Sequence, residues 1–277
     1  MKSLGLELGV SSPWIMGIVN CTPDSFSDGG KHTSLDAFNL AAQTFSQAHI
    51  IDIGGESSAP GRAQVSAKEE IDRLSQLLPE IAKTRFVSVD TYKSMTASWA
   101  IKNGARMVND ISALRADAEM VNVVRDARSY VVLMYSRQVA GDPHATTSGS
   151  GNKNLFVDVC DFLSERIDFA LNCGIGAGQI VLDPGMGFFV SPKAEDSWRL
   201  LSEMTNLVER FREFPILVGV SRKSFLGGEV QNRDPVGALT EFLAIKQGAK
   251  LVRTHRPDMI DEFLRINHRV CGEHSTS

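Results

Sequence analysis

Short apolar runs that end in polar residues recur eight times along the chain. Runs bounded by turn-forming residues are typical of strands buried on both faces of a parallel sheet, although any one of them could also be a piece of buried helix. The eight predicted strands are Trp14–Val19, Ile50–Ile51, Phe86–Val89, Met107–Val108, Tyr130–Leu133, Ile180–Leu182, Ile216–Val220 and Lys250–Val252.

Segments with helical periodicity fill the spaces between these runs. One of them, Ala118–Ala127, shows the pattern weakly. The clear ones are Ser34–Ala48, Ala67–Lys83, Lys93–Asn103, Phe156–Asn172, Glu195–Phe211, Pro235–Gln247 and Asp258–Val270.

The regular alternation of strand and helix predicts a (β/α)8 TIM barrel of the α/β class. The chain has 277 residues, and such barrels typically have about 250. We expect a single domain over residues 1–277, because no linker or low-complexity tract interrupts the pattern. A doubly wound open sheet is the alternative. In the barrel, the polar residues after every strand lie at one face, where these folds place their active sites.

Composition narrows the kind of partner. The formal net charge of −4 argues against a nucleic-acid-binding protein, which needs clustered Lys and Arg, and favours a small molecule as the partner.

Residues 1–10 include Glu7 and no sustained apolar run, so we predict neither a signal peptide nor a membrane span. The four cysteines lack zinc-type spacing, which indicates a reducing, cytoplasmic location.

Several common enzyme motifs are absent from the sequence. The run Gly174–Gly178 is glycine-rich, but it follows a predicted helix and precedes a predicted strand, whereas a dinucleotide-binding loop has the opposite order. We interpret it as a helix cap and turn. The chain also lacks the phosphate-loop, nucleophile-elbow and HExxH motifs.

Two carboxylates and an amide directly follow predicted strands. These are Asp90, Asn109 and Asp183. A single acid could simply cap the next helix, and Asp90 is ambiguous in this sense, but Asp183 is followed by Pro-Gly rather than by a helix start. Together the three predict a hydrogen-bonding surface for a flat heterocycle rich in N–H donors. The carboxylates could also stabilise positive charge that develops on the ring.

Basic residues follow the last two predicted strands. Arg222 and Lys223 come after the seventh, and Arg253 and His255 belong to the end of the eighth. Barrels often bind phosphate at these loops, and alternate residues of a strand point to the same side. We therefore predict an anion site, with solvated surface charge as the alternative.

Two loops, 21–30 and 54–62, are rich in Gly, Ser, Pro and Asp. We predict that they are lids, although ordinary turns could have this composition.

Taken together, these motifs resemble those of the dihydropteroate synthase family. The segments that carry the resemblance, in the family's order and over nearly the whole chain, are IMGIVNCTPDSFSDGG, DIGGESSAPG, SVDTYKS, VNDIS, VLM, LDPGMGF, VGVSRKSFLG and VRTH. The resemblance implies condensation of 6-hydroxymethyl-7,8-dihydropterin diphosphate with p-aminobenzoate. The products are 7,8-dihydropteroate, for folate biosynthesis, and diphosphate.

The resemblance also implies a role for each matching residue. Catalytic roles fall to Asp90, Asp183, Lys223 and Arg253. Pterin contacts are expected from Asp90, Asn109, Met134, Asp183, Gly219 and Lys223. Diphosphate contacts are expected from Asn20, Ser58, Arg253 and His255, with Asn20 also holding Mg²⁺. Contacts to p-aminobenzoate are expected from Pro60, Phe188, Phe189 and Ser224.

The chain departs from the family's pattern at two positions that bear on activity. The usual Thr-Arg-Pro of the second loop is Ser58-Ala59-Pro60, which removes an arginine that Arg62 could replace. The usual His after the fifth strand is Tyr135.

A third departure follows Gly187-Phe188, where Phe189-Val190-Ser191-Pro192 replaces the common Gly-Lys. This longer segment, together with SRKSFLG and VRTH, looks like the sulfonamide-insensitive Sul-type branch of the family, with an extra aromatic ring where p-aminobenzoate binds. We expect Phe189 to exclude sulfonamides by steric clash; the alternative is that Phe188 is the inserted ring and Phe189 the ordinary one. The first loop and the GGES motif, in contrast, follow the ordinary chromosomal enzymes.

Two other functions are consistent with parts of the sequence. A methyltetrahydrofolate-binding methyltransferase barrel shares the pterin site, but it has no diphosphate to bind, so the TPDSFSDGG and SRKS segments argue against it. Ala59 and Tyr135 motivate a non-catalytic pterin-binding paralogue, and the retained polar residues argue against that. The resemblance further implies a homodimer formed through the later helices.

Overall fold

The computed structural model of the protein describes residues 13–21, 45–56, 64–137 and 154–271. Most of the predicted helix Ser34–Ala48 and most of both predicted lid loops lie outside these ranges, as do Ser58, Ala59, Pro60 and Arg62. Among the described residues, no helix is both long enough and apolar enough to cross a membrane.

Eight parallel strands form the centre of the molecule. Seven neighbouring pairs are hydrogen-bonded in the order β6-β5-β4-β3-β2-β1-β8-β7. A parallel bridge between Leu182 and Ile216 joins the two ends of the sheet, so the (β/α)8 barrel is confirmed and the open sheet is wrong. The strands are β1 (Trp14–Asn20), β2 (Ile50–Gly54), β3 (Phe86–Asp90), β4 (Met107–Asp110), β5 (Tyr130–Met134), β6 (Ile180–Asp183), β7 (Leu217–Val218) and β8 (Leu251–Thr254).

Helices follow the strands through the described part of the chain and pack around the barrel. They are α1 (Ala67–Leu74), α2 (Leu78–Ala82), α3 (Ser94–Lys102), α4 (Met120–Ala127), α5 (Leu155–Asn172), α6 (Ala194–Ser202), α7 (Met204–Arg210), α8 (Asp234–Lys246) and α9 (Pro257–Cys271). Short 3-10 turns occur at Gly187–Phe189 and Ser224–Leu226.

Two segments predicted as single helices are each divided, so those predictions were wrong. A proline occupies the first turn of α2, where its missing N–H leaves no helical hydrogen bond unmade, whereas in a helix interior it would break one. Between α6 and α7, Glu203 has a ψ of 9°, outside the helical range. The predicted seventh strand is also shorter than expected, because the N–H groups of Val220 and Ser221 donate to the Glu241 carboxyl group on α8.

Alternation along the strands separates two apolar regions. Side chains that point outward from the barrel, such as Ile51, Val87 and Leu133, pack against the helices in the main core. Side chains that point inward fill the amino-terminal half of the barrel with a second apolar cluster: Trp14, Met16, Ile50, Phe86, Met107, Tyr130, Val132, Val181, Leu217 and Leu251. Burial of each large apolar side chain contributes roughly 1.5–3 kcal/mol.

Towards the carboxyl ends of the strands, the inward positions become polar. On five strands, the residue two positions after the member of the inner apolar cluster is polar. These residues are Asp52, Ser88, Asn109, Asp183 and Arg253. Because the strands are parallel, these side chains converge on one face of the barrel. The apolar half of the interior therefore forms a rigid base beneath a polar site.

Candidate active site

A cavity of about 560 Å³ opens at the carboxyl ends of the strands. Every predicted site residue within the described part of the chain lines it. These are Asn20, Asp90, Asn109, Met134, Asp183, Phe188, Phe189, Gly219, Lys223, Ser224, Arg253 and His255. Ser58 and Pro60 lie outside the described residues. The barrel thus brings together groups separated by more than 200 positions in the chain.

The cavity has two polar regions. We call Asp90, Asn109, Asp183, Lys223 and Arg253 the carboxylate end. We call Ser221, Arg222 and His255 the histidine end. All eight residues line the same cavity.

A buried ion-pair network forms the floor of the carboxylate end. The Arg253 guanidinium donates from Nε to Asp52 Oδ2 at 2.6 Å and from Nη2 to Asp90 Oδ2 at 2.6 Å. The Asn109 amide also donates to Asp52 Oδ2, at 3.0 Å. The Asp52 carboxylate is fully buried, so it fixes both neighbours from below the cavity.

The network controls the charge of Asp90. Burial raises the pKa of the Asp90 carboxyl to about 7, Arg253 opposes this shift, and the Asp52 carboxylate adds to it. Burial alone would lower the pKa of Arg253, but the carboxylates of Asp52 and Asp90 raise it above its ordinary value. Arg253 therefore stays cationic, whereas Asp90 can gain a proton near neutral pH.

Asp183 and Lys223 occupy the opposite wall of this end. Asp183 is buried at the end of β6, and its Oδ1 accepts a hydrogen bond from Gly185 N–H at 2.7 Å. Gly185 has φ +68°, and a Cβ there would lie 2.3 Å from the Tyr135 carbonyl oxygen, so this tight turn requires glycine. Burial raises the pKa of Asp183, and Lys223 opposes that shift. Lys223 Nζ donates to the Met186 carbonyl at 3.0 Å.

The Lys223 ammonium is itself perturbed. Burial lowers its pKa to about 8, although Asp183 favours the charged form. Nζ lies 5.1 Å from the centre of the Phe189 ring, within the range of a cation–π contact. Gly219 lies next to Arg253, and a Cβ at Gly219 would be 3.4 Å from Arg253 Cβ. A Cβ at this position would therefore be in ordinary van der Waals contact with the backbone and aliphatic part of Arg253.

The two adjacent phenylalanines have different surroundings. Phe189 is only 8% exposed and packs with Ile111 and Met134. Phe188 is half-buried, and the two rings meet edge to face with centres 6.2 Å apart. The Gly187–Phe189 turn thus directs one ring into the carboxylate end and leaves the other more accessible.

Tyr135 lies outside the cavity lining. Its ring packs edge to face with Phe162, with centres 5.2 Å apart, and its hydroxyl oxygen accepts a hydrogen bond from Arg137 Nε at 3.1 Å. Because the side chain belongs to the core between strands and helices, this departure from the family's pattern leaves the polar groups of the cavity intact.

The histidine end is built from the residues that follow β7 and β8. The backbone N–H of His255 donates to Ser221 Oγ at 3.1 Å, and the same oxygen lies 3.0 Å from His255 Nδ1. Burial, reinforced by the charges of Arg222 and Arg253, lowers the pKa of His255 to about 3. Arg222 is largely occupied, because its guanidinium donates two hydrogen bonds to Asp234, at 2.8 and 3.0 Å.

Asn20 ends β1 at the rim of the cavity and is half-buried. Within the described residues, no group of three or more His, Cys, Asp or Glu side chains could hold a metal ion. Magnesium, however, is commonly held by only one or two protein ligands together with substrate phosphates. A single amide oxygen at the cavity rim fits that coordination.

Sequence reasoning missed two acids next to these residues. Asp52 directly follows the predicted strand Ile50–Ile51 but was assigned no role; the strand continues to Gly54 and points Asp52 inward. The signal was its two-residue spacing from Ile50. Glu56 lines the cavity as well, and its carboxylate accepts hydrogen bonds from Tyr92 Oη at 2.9 Å and from Lys93 Nζ.

A sequence model for the family described as pterin binding enzyme matches residues 16–255 of the chain. The chain belongs to this family of pterin-binding enzymes. A dihydropteroate synthase from Synechocystis is 37% identical to this pterin-binding enzyme over 263 residues, which covers 91% of the chain and 88% of the relative.

Solved structures agree with this family assignment. The dihydropteroate synthase of Xanthomonas albilineans, in complex with 7,8-dihydropteroate, is 33% identical with a TM-score of 0.80, and the match covers 94% of each chain. The Yersinia pestis enzyme, solved with a sulfonamide drug complex, is 32% identical with a TM-score of 0.84. That match covers 98% of this pterin-binding enzyme and 99% of the other chain.

Proposed function

We propose that the protein is a dihydropteroate synthase of folate biosynthesis. It condenses 6-hydroxymethyl-7,8-dihydropterin diphosphate with p-aminobenzoate to give 7,8-dihydropteroate and diphosphate. The observation that carries this proposal is the convergence of Asp90, Asn109, Asp183, Lys223 and Arg253 in one cavity of a chain that belongs to the pterin-binding family. The relatives named dihydropteroate synthase support the reaction.

The carboxylate end would bind the pterin ring. Carboxylate and amide oxygens accept hydrogen bonds from the N–H groups of the ring, and Met134 with Phe189 supplies an apolar surface for its face. The Lys223 ammonium offers donors to ring acceptors. We assign no proton transfer to these groups, since their role is to bind and orient.

The reaction breaks the bond between the pterin methylene carbon and the diphosphate oxygen. The aryl amine nitrogen forms the new bond to that carbon, the electrons of the broken C–O bond leave with diphosphate, and the nitrogen then loses a proton to solvent water. Positive charge that develops at the methylene is stabilised by the carboxylates of Asp90 and Asp183. The leaving oxyanion would meet the donors of the histidine end.

Arg253 contacts two carboxylates of the site in addition to its proposed contact with the diphosphate. In the structure its guanidinium is shared between Asp52 and Asp90. We propose that a bound diphosphate competes with Asp90 for Nη2, while Asp52 retains Nε. Release of the guanidinium would free the Asp90 oxygens to accept hydrogen bonds from the pterin.

Magnesium is part of this proposal. Asn20 would supply one amide oxygen to the ion, and the phosphates of the substrate would supply others. When bound, Mg²⁺ neutralises charge on the diphosphate leaving group. Removal of divalent cations should therefore abolish turnover while leaving affinity for the diphosphate-free pterin alcohol unchanged.

One assay tests the reaction. The purified protein is incubated with the pterin diphosphate, p-aminobenzoate and Mg²⁺, and formation of dihydropteroate and release of diphosphate are measured together. Equal amounts of both products support the proposal. Pterin binding without either product would indicate a non-catalytic pterin-binding protein.

We further propose that the protein is insensitive to sulfonamides and that Phe188 is the ring responsible. The sequence predicted this role for Phe189, but the contacts of Phe189 with Ile111 and Met134 suit the pterin. Phe188 is the more accessible ring and can clash with the bulky sulfonamide substituent. The resemblance to the Sul-type branch rests on the sequence after Gly187 together with the SRKSFLG and VRTH segments.

We also propose that the protein is a homodimer. On α8, Val236, Leu239 and Leu243 are between 45% and 51% exposed, and their spacing places them on one face of the helix. Ile266 and Val270 add exposed apolar surface on α9, which packs against α8. Light scattering should give twice the monomer mass for the wild type, and Leu239→Glu should reduce the measured mass.

The cytoplasmic location stays a prediction from cysteine usage.

A further inference from the structure

A buried acid lies behind the histidine end and has no part in the reaction described above. Glu241 of α8 is fully buried. Its Oε1 accepts a hydrogen bond from Ser221 N–H at 3.0 Å and a longer one from Val220 N–H at 3.4 Å. Burial raises the pKa of Glu241 to about 8 against the opposing hydrogen bonds, so the carboxyl is mostly neutral at pH 7. Glu241 thus fixes the backbone of the turn that follows β7.

Ser221, whose N–H donates to Glu241, makes two contacts with His255. Its Oγ accepts from the backbone N–H of His255 at 3.1 Å and lies 3.0 Å from Nδ1 of the same histidine. A serine hydroxyl has one proton to donate as well as lone pairs that accept. The geometry therefore links the protonation of the imidazole to the direction of the serine O–H bond.

One arrangement pairs the serine proton with the imidazole. If Nδ1 carried a proton, Ser221 Oγ would accept two hydrogen bonds and its own proton would have to go to solvent, because it has no other partner among residues 13–21, 45–56, 64–137 and 154–271. If Nδ1 is unprotonated, the hydroxyl donates to it, and the proton on Nε2 is left for a partner in the cavity that both residues line. The proton of a neutral imidazole then lies on Nε2.

The surroundings also disfavour the imidazolium ion. His255 is flanked by the guanidinium groups of Arg222 and Arg253, and Asp234 offers partial compensation. Asp234 is itself engaged by Arg222. A third positive charge, on the imidazole ring, would be poorly solvated, which agrees with the lowered pKa of His255.

We propose that Ser221, positioned by Glu241, holds His255 as the neutral tautomer with its proton on Nε2. His255 then offers the diphosphate a hydrogen-bond donor and no positive charge. Ser221 and Glu241 are positioning residues in this account, because they act through the imidazole. The identity of the anion rests on the proposed function, whereas the tautomer is inferred from the contacts between Ser221 and His255 and from the cations beside the ring.

Nitrogen NMR of the full-length protein with ¹⁵N-labelled histidine tests the tautomer. The His255 signals are identified by their loss in His255→Gln. In the wild type we expect an unprotonated Nδ1 and a protonated Nε2, with no titration between pH 6 and 8. In Ser221→Ala we expect a mixture of tautomers. A wild-type His255 that is protonated on Nδ1 overturns the proposal.

A matched pair of variants tests Glu241. Gln at this position keeps an oxygen that accepts from Ser221 N–H, so Glu241→Gln should preserve the wild-type tautomer. Glu241→Leu removes the acceptor and should give the mixed tautomers of Ser221→Ala. The same tautomer in all three variants would contradict the positioning role. If Glu241→Leu does not fold, the comparison of Ser221→Ala with the wild type decides the question.

Binding measurements connect the tautomer to function. Calorimetry with inorganic diphosphate and Mg²⁺ should show weaker binding for Ser221→Ala, by about twofold if the two tautomers become equally populated, because only the tautomer with its proton on Nε2 donates to the anion. Affinity for the diphosphate-free pterin alcohol should be unchanged. Unaltered diphosphate affinity in Ser221→Ala would overturn the proposal. A wild type with the expected tautomer but no turnover would instead overturn the proposed reaction.

Discussion

The two ends of the cavity hold their charges in different ways. At the carboxylate end, the Arg253 guanidinium is clamped between Asp52 and Asp90, and the three side chains project from strands. At the histidine end, Arg222 belongs to a turn and is paired with Asp234, whereas His255 carries no charge. Buried ions are costly unless they are paired and hydrogen-bonded. At the carboxylate end the strands therefore fix both partners of a buried cation, whereas at the end built from turns the cation Arg222 pairs near the surface and the buried His255 stays neutral.

The largest expected effect concerns the residue beneath the carboxylate end. Asp52→Ala leaves Arg253 and Asn109 without their shared acceptor, and removing one partner of a buried ion pair typically costs about 3–5 kcal/mol. We expect a loss of this size in the free energy of unfolding, measured with urea. Asp126→Ala is the control, because Asp126 pairs with Arg125 at the exposed surface. Equal losses in the two variants would remove the distinction between clamped and exposed charges.

The next effect concerns recognition rather than stability. Asp183→Asn replaces a charged acceptor by an amide, and the loss of a charge-assisted hydrogen bond costs about 1.5–3 kcal/mol. Affinity for the pterin should fall tenfold or more in calorimetry, and turnover should fall with it. Binding of inorganic diphosphate should remain unchanged. If both ligands lost affinity equally, the two ends would not be functionally separate.

The third effect is a pH dependence of the affinity for the pterin, which the carboxylate end binds. The pKa of Asp90 is raised to about 7, so the group gains its charge as the pH rises through that value. A pterin that donates to the carboxylate should bind about tenfold more tightly at pH 8 than at pH 6, as expected for one ionisation centred near pH 7. Asp90→Asn should remove this increase and leave only the smaller loss of affinity expected as Lys223, with a pKa of about 8, gives up its charge. An increase that survives this substitution would assign it to another group.

The smallest expected effect separates the adjacent phenylalanines. Phe188→Ala should increase inhibition by a sulfonamide about fivefold, since a steric clash is removed, with little change in the KM for p-aminobenzoate. Phe189→Ala should instead weaken pterin binding, because the ring packs on Met134. The reverse pattern in steady-state kinetics would restore Phe189 as the discriminating ring.

Much of the fold and site could be predicted because both depend on local periodicity. The strand–helix alternation determined the barrel, and the polar residues after each strand led directly to Asn109 and Asp183. Asp52 directly follows its predicted strand, but its inward direction depends on how far β2 extends, and β2 extends by pairing with β3 over five positions. The contact between Glu241 and Ser221 spans 20 residues, and no pattern in either segment indicates it. The different directions of Phe188 and Phe189 depend on a single 3-10 turn.

The closure of the barrel has a consequence for its internal motions. β6 and β7 meet at the bridge between Leu182 and Ile216 and at a hydrogen bond from Leu182 N–H to the Pro215 carbonyl, at 3.0 Å, whereas β1 and β2 are paired over five positions. Local opening should therefore occur first along this junction, and its amides should exchange with deuterium fastest among the strands. Asp183 and Lys223 lie on opposite sides of the junction. A ligand that contacts both Asp183 and Lys223 would slow amide exchange at this junction. Substrate binding would then reduce the local opening of the barrel between β6 and β7.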